Sequence, residues 1–159
     1  MQPVPQDDTC LQFVIFQVGA QNFAVEITRV KEIQRYQKPT PLPKAPSFLE
    51  GVIEVRGNLI PVVDLRKRFE ISGYQNDTRT RIIILRAAKR RMGIVVDAVY
   101  RVLSIPLKDI KAPPAIAHAH GSDPMLAVAK YRKELYVILD LDRILASVER
   151  MTLTKVKLA

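Results

Sequence analysis

Tryptophan is absent from this 159-residue sequence, and cysteine occurs once, at Cys10. A lone cysteine closes no internal disulfide. Packing at a strand edge is its simplest role. Histidine occurs only at His118 and His120, with Asp123 the one acid close by. Two imidazoles without a third ligand at a clear spacing do not define a metal site, so neither metal nor other cofactor is expected. No apolar run approaches the ~20 residues of a membrane-crossing helix. The start, residues 1–10, lacks the basic-then-apolar order of a secretory signal. A cytoplasmic chain without membrane insertion is the expectation. The Gly-x-Ser-x-Gly elbow, the phosphate loop and the dinucleotide fingerprint are all missing. Asp64 and Asp140 each end a strand-like run in Asp-Leu, but nothing supplies a partner base or nucleophile. These absences point to a binding protein rather than an enzyme, with no small-molecule substrate.

Charge is plentiful and one-sided: 25 Lys and Arg against 16 Asp and Glu give a net +9. The basic residues cluster at Arg66-Lys67-Arg68, Lys89-Arg90-Arg91 and Arg132-Lys133. A basic β-barrel that binds nucleic acid is the alternative reading. It requires a continuous basic groove with aromatics for stacking. Aromatics make up 6% of the chain, and the clusters fall in separate turns. Solvated, charged loops are the simpler account, since net charge bears on association rather than fold.

The most informative stretch is Gly51-Val-Ile-Glu-Val-Arg-Gly-Asn-Leu-Ile-Pro-Val-Val-Asp-Leu65. Two apolar runs flank Arg56-Gly57-Asn58, and a Gly-Asn pair between such runs reads as a hairpin turn. Arg56 then lies at the tip. Residues 127–141 echo this stretch without a gap, sharing Val52/Val128, Arg56/Arg132, Leu59/Leu135, Asp64/Asp140 and Leu65/Leu141. The glycines are not shared: Ala127 and Lys133 stand opposite Gly51 and Gly57. Placing residues 24–27 on 93–96 also brings Val30 onto Val99. The chain therefore reads as two related β units.

Strands are expected at Leu11–Val18, Phe23–Ile27, Glu32–Tyr36, Arg81–Arg86 and Gly93–Val99, and in the hairpins around Arg56 and at Met125–Tyr131 with Leu135–Leu141. Short helical turns are expected at Thr28–Lys31, Ser47–Glu50 and Arg66–Phe69. Residues 38–46 hold four prolines and read as an extended connector. Ile71–Thr80 and Leu107–Pro124 read as loops. Asp142–Arg150 has helical spacing, with Asp142 as its cap. Residues 1–10 and 151–159 are expected to be flexible ends. About ten short strands in two similar halves, approximately 11–70 and 81–150, suggest two small barrels. Each half is marginal for its size, so a shared buried seam is expected.

Surface readings follow for the singled-out residues. Gly51 and Gly57 permit backbone angles or approaches closed to other residues. Glu32, in Val30-Lys-Glu-Ile33, reads as an outward strand residue paired with a lysine. Val99 and Val102 read as core, or as the lining of an apolar groove for a partner helix.

From Leu11 to about Val148 the sequence resembles the CheW-like coupling proteins of bacterial chemosensory systems. The resemblance rests on Val30-Lys-Glu-Ile33, on Pro46-x-Phe-x-x-Gly51-Val-Ile, on Arg56-Gly-x-x-Ile-Pro-Val-Val-Asp-Leu-Arg66 and on Gly93-Ile-Val-Val-Asp97. It implies a mainly β fold of two five-stranded SH3-like barrels packed around a shared core, with short helices and a C-terminal helix. It implies a stand-alone adaptor spanning 11–150 and lacking catalysis. Such an adaptor couples the cytoplasmic tips of chemoreceptors to the regulatory domain of a histidine autokinase, and is recruited to receptor arrays at the membrane. By the same resemblance Val30, Glu32, Gly51, Arg56, Gly57, Val99 and Val102 are the candidate partner-binding positions. The family's usual Asn-Leu-Arg-Gly reads Glu54-Val-Arg-Gly57 here.

Overall fold

The computed structural model describes residues 9–87, 89–112, 125–146 and 148. His118, His120, most of the expected 107–124 loop and both expected flexible ends lie outside them, apart from Thr9 and Cys10. Among the described residues, eleven strands run in chain order: β1 Cys10–Val18, β2 Gln21–Glu26, β3 Val30–Arg35, β4 Leu49–Val55, β5 Asn58–Asp64, β6 Arg81–Ala87, β7 Arg90–Val96, β8 Ala98–Pro106, β9 Ile110–Lys111, β10 Met125–Tyr131 and β11 Glu134–Leu139. Helix α1 spans Leu65–Arg68, and α2 covers 141–146 with 148 also helical. Single 3-10 turns at Ile27–Arg29 and Leu107–Asp109 lead into β3 and β9.

Two mixed sheets result, in the orders β8-β1-β2-β11-β10-β9 and β3-β6-β7-β5-β4. Each draws strands from both halves of the sequence. The first sheet encloses Phe13, Ile15, Ala24, Ile105, Tyr136 and Ile138. The second encloses Ile53, Val55, Ile60, Val62, Ile82, Ile84 and Val95. A third and larger core lies between them, built from Phe16, Val18, Leu65, Leu85, Ile94, Ile144 and others. This is the shared seam that two marginal units require. The sixth strand, β9, is only a two-residue addition to the expected five.

The repeat is present down to its irregularities. In β4–β5 the pairs Leu49↔Val63 and Gly51↔Val62 flank a bulge; in β10–β11 the equivalent pairs Met125↔Leu139 and Ala127↔Ile138 flank another. Val30↔Leu85 and Glu32↔Ile84 flank a bulge in β3–β6, matched by Val99↔Phe16 and Arg101↔Ile15 in β8–β1. The parallel pairs Val62↔Gly93 and Ile138↔Ala24 are equivalent too. Bulges re-aim side chains and increase twist, so a repeated bulge is a repeated design feature.

Local differences from the sequence reading have physical causes. The expected strand Gly93–Val99 is two strands, β7 and β8, separated at Asp97. Ser47-Phe48 forms a hydrogen-bonded β-turn, closed by Leu49 N donating to Pro46 O at 3.0 Å, rather than a helical turn. Helix α2 begins at 141, and its cap is Asp140 rather than Asp142: Asp140 Oδ1 accepts from Arg143 N at 3.1 Å. Asp142 instead faces Arg29 at 3.4 Å. Asp64 caps α1 in the same way, accepting from Arg66 N at 2.9 Å. The matched Asp-Leu pairs are thus matched N-caps.

Candidate partner-binding surface

The β4–β5 hairpin turns on two residues, Arg56 (φ 52°) and Gly57 (φ 83°), not on the Gly-Asn pair. Positive φ at both central residues makes a turn whose twist matches the flanking strands. Gly57 adopts it without cost, and Arg56 bears the strain expected of a side chain there. The second hairpin repeats the turn with Arg132 (φ 49°) and Lys133 (φ 70°), so shape persists where glycine does not.

Arg56 projects into solvent, its side chain 80% exposed, and its Nε lies 3.9 Å from Glu32 Oε2. Glu32 comes from β3, at the opposite edge of the second sheet. It is 32% exposed and also accepts from Gln34 Nε2 at 3.2 Å. Residues two apart on a strand share a face, and Tyr36, further along that side, packs on the core inside this sheet. Glu32 therefore leans towards the sheet's inner mouth and meets an arginine, which corrects the outward, lysine-paired expectation. A pair this exposed contributes ~0–1 kcal/mol, too little to hold the fold together.

Val30 and Val99 are half-buried and pack on the shared core, as equivalent positions should. Val102 differs. It is 48% exposed, on the outer strand of the first sheet, with Tyr100 and Leu107 exposed nearby in the chain. The bulge between Val99 and Arg101 shifts the strand's phase, so Val99 and Val102, opposite Phe16 and Val14, lie on the shared-core side of the sheet while Leu103 and Ile105 reach the core inside it; Val102 is left exposed on the edge strand. The core reading of Val102 is thus corrected. Tyr100, whose hydroxyl donates to Gln17, was not singled out from sequence, because the bulge that turns it outwards shows only in the folded register.

Gly51 is buried and does not present a surface. A Cβ there would lie 1.9 Å from the Thr40 carbonyl oxygen, and φ is 140°. The proline-rich connector crosses β4 at this point, where Thr40 and Val52 exchange both backbone hydrogen bonds at 2.9 Å.

The basic clusters have distinct fates. Arg66 is buried, pairing with Asp64 through Nε (3.0 Å) and Nη2 (3.0 Å), with Asp97 at 3.2 Å and with Asn76 at 2.7 Å, beneath the Tyr74 ring. Burial opposes its charge, but hydrogen bonds and charge from Asp64 and Asp97 outweigh this and raise its pKa. Lys67 faces Glu50 at 2.5 Å, which raises the lysine pKa, and Arg68 lies over Phe48. Arg66-Lys67-Arg68 is therefore largely internal wiring rather than a nucleic-acid patch. Among the described residues, no group of three His, Cys, Asp or Glu is placed to hold a metal. No described helix is long and apolar enough to cross a membrane.

The family model for the CheW-like domain matches residues 12–149. This chain belongs to the CheW-like family. A chemotaxis protein CheW of Klebsiella aerogenes is 31% identical over 138 residues, covering 87% of this chain and 83% of the relative. One from Rhizobium meliloti is 32% identical over 139 residues, with 87% and 90% coverage. Protein FrzA of Myxococcus xanthus is 35% identical over 103 residues, covering 65% and 64%. The crystal structure of scaffolding protein TtCheW from Thermoanaerobacter tengcongensis superposes with a TM-score of 0.77 at 30% identity, over 82% of this chain and 89% of that one. The CheW fold of two packed β subdomains is the one described above. The quoted family motifs fall on β3, on the connector entering β4, on the hairpin and α1, and on the end of β7.

Proposed function

We propose that this chain is a non-catalytic chemosensory adaptor that holds a receptor tip and the regulatory domain of a histidine autokinase together at cytoplasmic receptor arrays. Family membership over most of the chain supports the scaffold role, and similar proteins carry the names of chemotaxis and scaffolding proteins. The observation that carries the finer reading is that the fold does not need its own hairpin tip. Arg56 is exposed, weakly paired and held in a strained backbone conformation. Coupling requires that both partners bias one equilibrium, typically worth ~1–3 kcal/mol. Val102 supplies an apolar contact on a second face, suited to a helical partner.

Two predictions test this. Asn favours the left-handed conformation at this turn position, so Arg56→Asn keeps the hairpin and deletes the guanidinium. Stability in urea should stay within about 1 kcal/mol of the parent, while affinity for the kinase regulatory domain or receptor, measured by calorimetry, falls several-fold. Unchanged affinity for both would remove Arg56 from the contact. Val102→Asp should likewise melt normally and lose receptor affinity. Val99→Asp, against the shared core, should lose stability by several kcal/mol. Equal melting of the two aspartate variants would refute the placing of Val99 against the core and Val102 on open surface.

A further inference from the structure

Lys89, Arg90 and Arg91 take no part in the reading above. All three are exposed, and together they form one wall of an open groove of about 730 Å³. The β5 residues 58–61 also line it, with Leu59 71% exposed. Leu145 and Val148 of α2, both members of the shared core, contribute too, as does Leu42 from the proline-rich connector. The groove therefore runs along the margin of the shared core and has a cationic edge. Among the described residues its lining contains no acid and no aromatic ring.

We propose that this groove docks an acidic amphipathic helix of a protein partner, its apolar stripe on Leu42 and Leu59 above the buried Val148 and its carboxylates against Lys89 and Arg91. The size suits a row of side chains, and an apolar stripe in a groove is a standard mode of helix recognition. Charge complementarity selects among occupants. Residues 151–159 carry Lys155 and Lys157 and no acid, which would set cation against cation. A second copy docking by two-fold symmetry would present the same basic wall to itself. A nucleic acid would find aliphatic side chains where it needs rings to stack on. The proposal is independent of the coupling role, and stands or falls without it.

The test uses the full chain with labelled leucine and valine methyls. It is titrated with a synthetic helical peptide of about five turns, with leucines spaced i, i+3, i+4, i+7 and glutamates opposite. Shifts at Leu42, Leu59 and Val148, with affinity weakened about tenfold or more in Lys89→Glu/Arg91→Glu and by exchanging the peptide's glutamates for lysines, would establish it. Leu59→Ser alters an exposed side chain and should weaken binding too, without change in melting. Several outcomes overturn it: equal binding of both peptides, shifts elsewhere, or no binding at millimolar peptide. So does binding only after removal of residues 151–159, which would make the tail the occupant. Self-association abolished by Leu59→Ser would assign the groove to a second copy, and overturns it as well.

Discussion

Arg66→Ala is expected to destabilise the protein by about 3–5 kcal/mol, a large part of the ~5–15 kcal/mol that holds a domain folded. The guanidinium is 1% exposed and reaches Asp64, Asp97 and Asn76 at once. Asp97 also accepts from the Gly19 backbone N at 2.7 Å, so one side chain joins the β5–α1 corner, the β7–β8 junction and the β1–β2 turn. These corners belong to different sheets, and Arg66 sits where they meet. Removing it leaves the Asp64 carboxylate buried without its countercharge, the costly half of breaking a buried pair. Arg66→Lys should rescue little, because one ammonium cannot reproduce a fork on Asp64 together with bonds to Asp97 and Asn76. Asp97→Asn should cost less, since Asp97 is 23% exposed and water can replace part of what is lost. Urea denaturation of the three variants checks the order. A loss below about 1 kcal/mol in Arg66→Ala would mean the network is peripheral to the joint.

Much of this architecture was legible in the chain because its signals are local. Apolar runs set off the hairpins, and the gapless echo between residues 51–65 and 127–141 is the same hairpin built twice. What was not legible depends on neighbours distant in sequence. Arg66 reads as one of three consecutive cations; only folding brings Asp97 and Asn76 to it. β8 was hidden because its bulge changes the strand's phase, so Val99, Val102 and Ile105 follow no single alternation. Glu32 looked outward for the same reason, a bulge separating Val30 from Glu32 in the ladder with β6. The candidate residues divide accordingly. Arg56 and Val102 lie on accessible surface, Val30 and Val99 on the margin of the shared core, and Gly51 inside the molecule.

Gly51 carries the second large expectation. Gly51→Ala should cost about 2–6 kcal/mol, the sum of ~1–3 for a backbone conformation that side chains avoid and ~1–3 for overpacking. The new methyl would meet a backbone carbonyl, 1.9 Å away, and not the movable end of a side chain. Relief requires Thr40 to withdraw, which breaks both of its hydrogen bonds to Val52. The equivalent position in the second hairpin is already alanine, at the same bulge. Ala127 lacks the positive φ of Gly51, so glycine is demanded by that backbone conformation together with the crossing connector and not by a bulge at this position as such. A signalling defect at Gly51 should therefore track the folded fraction, in contrast to Arg56→Asn, where binding falls in a stable protein. Urea melts read beside calorimetric binding at a temperature where the variant is folded separate the two. If Gly51→Ala melts like the parent yet fails to bind, the connector has room to move and Gly51 is itself part of the contact.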